Sequence, residues 1–543
     1  ATSMPIMRIR LTSLIAVLLV TSSLAAQQPA RIAPARLDSL KAEVIRAVDA
    51  ESALTQQIVD MLFSFGELAF QEVETSRYLT DLLRKQGFTV RQNVSGLPTA
   101  WVATWGTGKP VIAIGSDIDG IPQASQKPGV AYHDPIVQDA PGHGEGHNSG
   151  QAVNITAAIV LKRIMQRDKL QGTIVLWPGV AEELLGSKAW FVRDGMFKDV
   201  DAVIFSHVDS DFSTSYGAPT GTGLVSIEYT FEGETAHAAG SPWRGRSALD
   251  AVELLNTAWN FRREHLRPQH RVHYVIPNGG DQPNVVPRRA SVWYYLRETD
   301  HAHISALFAA GDTLARAAAM MAGVKLTQSR VLGAAWPRHF NKPLAEVMHS
   351  NIRRVGMPQW TTADVSLAKA VQRQVGGRER GLDTAIAEIG TGVNPDRNPG
   401  GGSDDIGDVS WVVPTITLRY PSNIPGLPGH NWSSAIAMAT PIAHKGATAG
   451  AKAMAMTMLD LIAAPSLSDS AWAYFRDVQT KDQKYEPLIR PTDKPPIELN
   501  EAVMARFRPA MRRFYYDPTR YKTYLEQLGI KYPTLRPDST ARE

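Results

Sequence analysis

"GTIVLWPGVAEELLGSKAWFVRDGMFKDVDAVIFSHVDS", residues 172–210, places two short apolar runs on either side of a segment with helical spacing. The runs TIVLWPG and AVIFSH are continuous rather than alternating, as in strands buried on both faces. Between them LLGSKAWFVRDGMF reads as a helix. Strand, helix and strand in that order form the crossover of a parallel sheet. The same alternation lies on the N-terminal side. KPVIAIGSDIDG (109–120) is a strand ending in a loop, and SGQAVNITAAIVLKRIMQRDKL (149–170) is a helix. The stretch therefore predicts an α/β domain with a mostly parallel sheet flanked by helices. In such folds functional groups gather where strands end. Here those ends carry Asp117, Asp119, Glu182, Glu183 and His207.

From about Leu224 the pattern changes. LVSIEYTFEG alternates like a half-exposed strand. An amphipathic stretch (Ala248–His265), the strand-like RVHYVIP and ASVWYYLR, and a helix (His303–Ala322) follow. This β-α-β-β-α order predicts an inserted α+β domain with antiparallel pairing, residues 222–332. Helix and strand alternate again afterwards, ending in a helix from about Ser434 to Ile462. The first domain is thus discontinuous, 36–221 and 333–465. Residues 466–543, rich in Pro, Arg and Tyr, read as an extension wrapping the surface.

The 543 residues are 43% hydrophobic and 20% charged, ordinary values for a globular chain with a sizeable core. A net charge of only +4, with no Lys/Arg block, argues against a nucleic-acid partner. The absence of cysteine excludes disulfides, thiolate metal ligands and a cysteine nucleophile. Residues 1–26 read as a leader. After Ala1–Ile6, MRIRLTSLIAVLLVTSSLAAQQ has a basic start at Arg8 and Arg10, an apolar run from Leu11 to Val20, and small Ser23 and Ala25. A membrane anchor is the alternative, but the run is short for a span. The expectation is a periplasmic or secreted protein without a stable membrane anchor.

"GHGEGHNSG" (142–150) sets Glu145 between His143 and His147 in a stretch too glycine-rich for a helix. These are three groups within five residues able to hold a cation. His147, Glu183, His207 and His430 all lie in Gly- or Pro-flanked or strand-terminal segments, and zinc-like ions favour such donors. Among fourteen histidines, any one taken alone is better explained by a surface or capping role than by metal ligation. AEE (181–183) has two readings. Adjacent acids diverge, so one can bind a metal while its neighbour takes a proton from a water that the metal acidifies. Alternatively, both are solvated acids in the first turn of the next helix. Asp117 either orients an imidazole or caps a turn. His237 sits in a small-residue turn before a long helix.

Taken in order, GELAFQEVETS, GSDIDGIP, GHGEGHNSG, GVAEELLGSKAWFVRDG, AHAAGSPWRGRSALDAVELLN, QPNVVP and GHNW resemble the metallopeptidase family of aminoacylases, glutamate carboxypeptidases and amino-acid amidohydrolases. The likeness spans roughly residues 40–465 and is greatest to the branch of p-aminobenzoyl-glutamate and indole-acetyl-amino-acid hydrolases. The resemblance implies two divalent ions per subunit, zinc first, with manganese or cobalt as alternatives. It gives Glu145 the bridging position, makes His147, Glu183, His207 and His430 the other ligands, and makes Glu182 the general base. The inserted domain resembles a dimerisation lid, which implies a homodimer or higher oligomer. His237 would then reach the partner's site to polarise the scissile carbonyl, and Asn284 and Arg297 would grip the substrate carboxylate. Two departures stand out. Gly115 replaces a histidine that many relatives carry, as it does in the amidohydrolase branch, and Glu145 stands where that branch usually has cysteine.

The implied activity is hydrolysis of the amide bond of a small N-acyl or N-aryl-acyl amino acid or peptide. A dipeptidase or carboxypeptidase of the same fold, and a non-catalytic peptide- or metal-binding protein, are the alternatives. Glu145 favours the binder, whereas Glu182 and His237 speak for an enzyme.

Overall fold

The computed structural model describes residues 32–391 and 401–536, so the leader expected at 1–26 lies outside the described residues. Its central sheet has six strands in the order Thr89–Gln92, Trp101–Thr107, Gly172–Gly179, Val111–Asp117, Ala202–Asp209 and Thr415–Pro421. The last four are mutually parallel, and the first two add antiparallel at one edge. The apolar runs read from the sequence form the centre, where Ile112, Ile114, Ile174, Leu176, Ile204 and Phe205 are buried. Two helices, Gly150–Asp168 and Pro441–Ala463, pack on each other and on these strands. The second of them is rich in Ala and Gly, and Gly446 and Gly450 lie against Pro421 and Tyr420 with no room for a side chain. It begins at Pro441 rather than near Ser434. Thr440 caps it by accepting from the Ile442 amide, and proline suits a first helical turn. Trp432–Ala435 is a separate short turn.

The inserted domain runs through Gly223–Glu232, Ala248–Arg262, Arg271–Asn278, Arg289–Glu298, His301–Ala322 and Lys325–Ala335. Its strands make an antiparallel sheet with Gly223–Glu232 and Arg289–Glu298 inside. Its two helices pack together over that sheet, around Tyr229, Trp259 and Tyr294. The closing strand Lys325–Ala335 has no counterpart in the five-element pattern read from the sequence. Its KLTQS start is mostly polar, so the alternation that marks a strand is weak there. The outer strand Arg271–Asn278 is an unpaired edge with Tyr274, Val275 and Ile276 exposed.

A third, small sheet sets Ser215–Thr220 between Arg338–Phe340 and Gly390–Thr391. The C-terminal segment packs onto the rest of the chain through buried Met504, Met511, Tyr516, Tyr524 and Leu525. The Arg508 guanidinium forms an ion pair with buried Glu67, and the Tyr524 amide donates to Asp60 at 3.0 Å. Among the described residues no helix is long and apolar enough to cross a membrane.

Candidate active site

Residues at and beyond several strand ends gather at or behind one cavity. Val111–Asp117 delivers buried Asp117, with Asp119 just beyond it. After Gly172–Gly179 the chain makes a tight turn, Glu182–Leu184, bracketed by Ala181 (φ 52°) and Leu185 (φ 54°). Non-glycine residues seldom adopt that left-handed conformation, and it persists only where neighbours enforce it. Here the enforcing group is Glu72. Its buried carboxylate accepts from the Ala181 amide at 2.7 Å and from the Thr99 hydroxyl at 2.8 Å. The Glu183 amide donates to Asp119 at 3.0 Å. AEE is therefore not a solvated helix start: the helix begins at Lys188, and both acids are almost wholly buried.

The two oxygens of Glu145 face different groups. Oε1 lies 3.5 Å from His207 Nε2, while Oε2 lies 2.9 Å from His430 Nε2 and 3.9 Å from His147 Nε2. Glu183 is 3.2 Å from His430 Nε2 and 3.9 Å from His147 Nδ1. Asp117, His147 and His207 bring ligand atoms within 4.8 Å of one another, as do Glu145, His147 and Glu183. His207 donates from Nδ1 to the Val208 carbonyl at 2.8 Å, which leaves Nε2 free to ligate. His430 is itself left-handed (φ 50°), and this carries its ring toward Glu145.

Electrostatics agree with a cation site. Burial alone would raise the Glu145 carboxyl, but the imidazoles of His207, His430 and His147 hold it well below the usual range. Burial opposes a charged His147, yet Asp119, Glu145, Asp117 and Glu183 push it well above an ordinary histidine. Glu182 and Glu183 are raised, first by burial and then by neighbouring carboxylates. Both His147 nitrogens, Asp117 Oδ2, Asp119 Oδ1 and Glu183 Oε1 are buried without a hydrogen-bond partner among the described residues. Buried polar atoms are rarely left so, and five converging nitrogen and oxygen donors fit zinc, manganese or cobalt.

The five ligand candidates Glu145, His147, Glu183, His207 and His430 thus converge. Glu182 lines the same cavity of about 250 Å³, near Asp117 and Asp404. Arg297 lines it too. His237 and Asn284 do not: both are exposed on the inserted domain, tied together by the Ala238 amide donating to the Asn284 carbonyl at 3.0 Å. His143 turns away from Glu145. Its Nε2 donates to the Leu62 carbonyl, and burial beside His147 pushes its pKa down to about 3. Gly115 has a physical reason as well, because the Trp177 ring fills the space that a side chain there would need.

Asp404, Lys188, Arg338 and Tyr295 escaped the sequence reading. Asp404 and Asp405 did have a signal, an acid pair in the glycine-flanked run GGSDDIGD (401–408). The other three carry none.

Imidazoles and carboxylates gathered at parallel strand ends, beside an inserted α+β domain, define a hydrolase of the metallopeptidase class. Residues 221–319 match the family model described as a peptidase dimerisation domain. The chain is 32% identical over 439 residues to a p-aminobenzoyl-glutamate hydrolase chain of Escherichia coli K12, covering 76% of this chain and 90% of that one. It is 26% identical to the Xaa-Arg dipeptidase of Mus musculus, over 83% and 95% of the two chains. A crystal structure of an aminobenzoyl-glutamate utilization protein from Klebsiella pneumoniae matches in fold, with a TM-score of 0.50, 17% identity, and 78% of this chain and 98% of that one covered. The chain belongs to the M20 peptidase family, whose members hydrolyse amide bonds.

Proposed function

We propose that the protein is an exported amidohydrolase that uses two divalent ions, zinc first, to cleave N-acyl or N-aryl-acyl amino acids. The observation that carries this reading is Glu145, a carboxylate whose two oxygens address His207 on one side and His430 on the other. Bound there, divalent cations would acidify a water and polarise a carbonyl. Glu145, His147, Glu183, His207 and His430 would hold them. Glu182, on the cavity wall with its neighbour Glu183 turned to the ligand set, takes the attacking water's proton and returns it to the leaving amine. Arg297 offers its guanidinium to the carboxylate of the amino-acid half.

The relatives' names support this substrate class, since p-aminobenzoyl-glutamate and an Xaa-Arg dipeptide both release an amino acid from an amide. The exposed edge strand Arg271–Asn278 supports a homodimer, in which His237 and Asn284 of one subunit would face the other's cavity. Export rests on the leader-like residues 1–26. The test is turnover of a panel of N-acyl amino acids and dipeptides, with elemental analysis of the same sample. Hydrolysis that disappears on chelation and returns with zinc, at about two ions per chain, is expected. Full activity in a metal-free sample would refute the reading.

A further inference from the structure

Residues 485–499, YEPLIRPTDKPPIEL, include four prolines, Pro487, Pro491, Pro495 and Pro496. Proline fixes φ and has no amide hydrogen, so this stretch is stiff and forms neither helix nor strand. It lies along the seam between the two domains and bonds to each in turn. The Tyr485 hydroxyl donates to Asp408 of the catalytic domain at 2.6 Å. The Glu486 carbonyl accepts at 2.9 Å from the indole of Trp336, which follows Ala335 at the junction. Arg490 donates to the Ser329 carbonyl of the inserted domain at 2.7 Å, with its guanidinium 6.0 Å from the Phe308 ring. The Asp493 carbonyl turns back to the catalytic domain and accepts from Arg193 at 2.7 Å. Glu498 returns to the inserted domain in an ion pair with Arg330. On either side of it, Gln71 of the catalytic domain donates to the carbonyls of Ile497 and Leu499, each at 3.1 Å. Between these bonds Leu488 and Ile489 are buried with the core of the inserted domain.

Sheet register shows what these bonds act on. The inserted domain meets the catalytic domain at two strand ends, where Leu224 pairs with Ala335 on one side and Arg297 on the other. Leu185 of the catalytic domain packs against this row and accepts from the Ala334 amide at 3.1 Å. The row is therefore a pivot, and Arg297 sits on it. Ser329 and Arg330 lie about 17–20 Å out along Lys325–Ala335, at roughly 3.4 Å per residue. His237 lies farther still. The strand Arg289–Glu298 runs about 30 Å from the pivot row, and Glu232, paired with Arg289, leads within a few residues to His237. A turn of about 10° would leave Arg297 nearly in place but carry that far end about 5 Å, well beyond the ~1 Å at which catalytic geometry suffers. Domains joined through a modest interface move relative to one another unless something holds them. We propose that residues 485–499 are a strap that fixes the angle of the inserted domain, and with it the position of His237, while the grip of Arg297 on substrate is indifferent to it. The inference goes beyond the proposed function and rests on it only for the role of His237.

The test releases both grips on the inserted domain in the full chain, by Arg490→Gln with Glu498→Gln. Both side chains are partly exposed, and the apolar core beneath them is untouched. Because the chain has no cysteine, spin labels at the exposed positions Thr235→Cys and Gln166→Cys report the angle without competing sites. Labelled chains are diluted with unlabelled ones, so that pulsed electron paramagnetic resonance reads a distance within one subunit. The strapped chain should give one narrow distance, and the double variant a distribution broader by about 5 Å. With p-aminobenzoyl-glutamate as substrate, kcat should fall about 10–100-fold while KM stays within about 2-fold. Glu498→Arg should also loosen the domain, and adding Arg330→Glu to it should restore both distance and turnover. No recovery in that exchanged pair assigns the loss to general stability and overturns the strap. A distribution that stays narrow in the double variant overturns it too, and an unchanged kcat, whatever KM does, overturns its hold on His237. If p-aminobenzoyl-glutamate is not hydrolysed, the amidohydrolase reading fails by itself, and the spin-label distances alone decide this inference.

Discussion

Lys188→Met removes the cation at the centre of a buried nest of acids. The Lys188 side chain has no exposure, donates to Asp117 at 2.6 Å, and also bonds Asp405, while both carboxylates are at most 1% exposed. The Phe205 ring 4.8 Å away adds a cation–π contact. Methionine fills nearly the same volume, so packing changes little and the electrostatic loss is isolated. Breaking a buried pair costs about 3–5 kcal/mol, because the abandoned charge keeps its desolvation penalty. With two carboxylates stranded, the upper half of that range is expected. Denaturant titration followed by tryptophan fluorescence measures it. Adding Asp405→Asn to the variant should recover at least about 1 kcal/mol, since one stranded charge is then neutral. The effect should reach the site, because the Asp117 carboxylate that accepts from Lys188 through Oδ1 also groups with His147 and His207. Losing that anchor should weaken zinc retention about 10–100-fold, the usual cost of disturbing a group behind a ligand. A loss below about 1 kcal/mol with unchanged zinc retention would refute the argument.

Glu182→Gln should keep fold and metal content but lose roughly 10²–10⁴-fold in kcat; more than a tenth of wild-type turnover means that Glu182 is not the base. Glu145→Ala should lower bound metal from about two ions toward one, because two like charges would face each other without compensation; unchanged stoichiometry and turnover would exclude the bridge. Mixing His237→Ala with Glu182→Gln subunits should restore activity in heterodimers holding one complete site, and no recovery despite proven subunit exchange would remove the assignment in trans. His339, stacked on Trp411 with Nε2 donating to the Ser410 carbonyl at 2.9 Å, has its pKa pushed down to about 3 by burial. The unfolded chain therefore binds a proton near pH 6.5 that the folded one refuses, so stability falls as pH drops from about 6.5 toward 3. In His339→Gln that slope should be shallower by about 1.4 kcal/mol per pH unit, read from denaturation midpoints at several pH values; an unchanged slope would exclude His339 as a source of acid sensitivity.

The parallel sheet was legible because its strands are continuous apolar runs, TIVLW and AVIFS, separated by helical spacing. The site was legible in part for the same reason: strand ends announced Asp117, Asp119, Glu182, Glu183 and His207. His143 misled because spacing within five residues cannot say which way a ring turns, and burial turned it to Leu62. Lys188 and Arg338 were invisible since their meaning lies in groups distant in the chain, Asp405 for one and Asp404 for the other. The C-terminal segment defied periodic reading because it is held by scattered side chains, such as Tyr485 on Asp408 and Tyr532 on Asp364, rather than by one apolar stripe.

Arg508 meets Glu67 across 441 residues of sequence. The Glu67 carboxylate caps the helix Val73–Lys85 through the amides of Glu74 and Thr75, and its backbone carbonyl accepts from Gly120, next to Asp119, at 2.7 Å. Asn500 adds a bond to the Ala69 carbonyl at 3.1 Å, close to the Glu72 that enforces the AEE turn. Contacts between such distant segments are the last to form, because loop closure must precede them. A chain emerging from the ribosome thus carries every ligand candidate once His430 is made, yet the brace behind Asp119 waits for Asn500 and Arg508. A copy that stops short of that stretch would hold the ligand candidates but lack the bonds that fix Glu67 and Ala69 behind them.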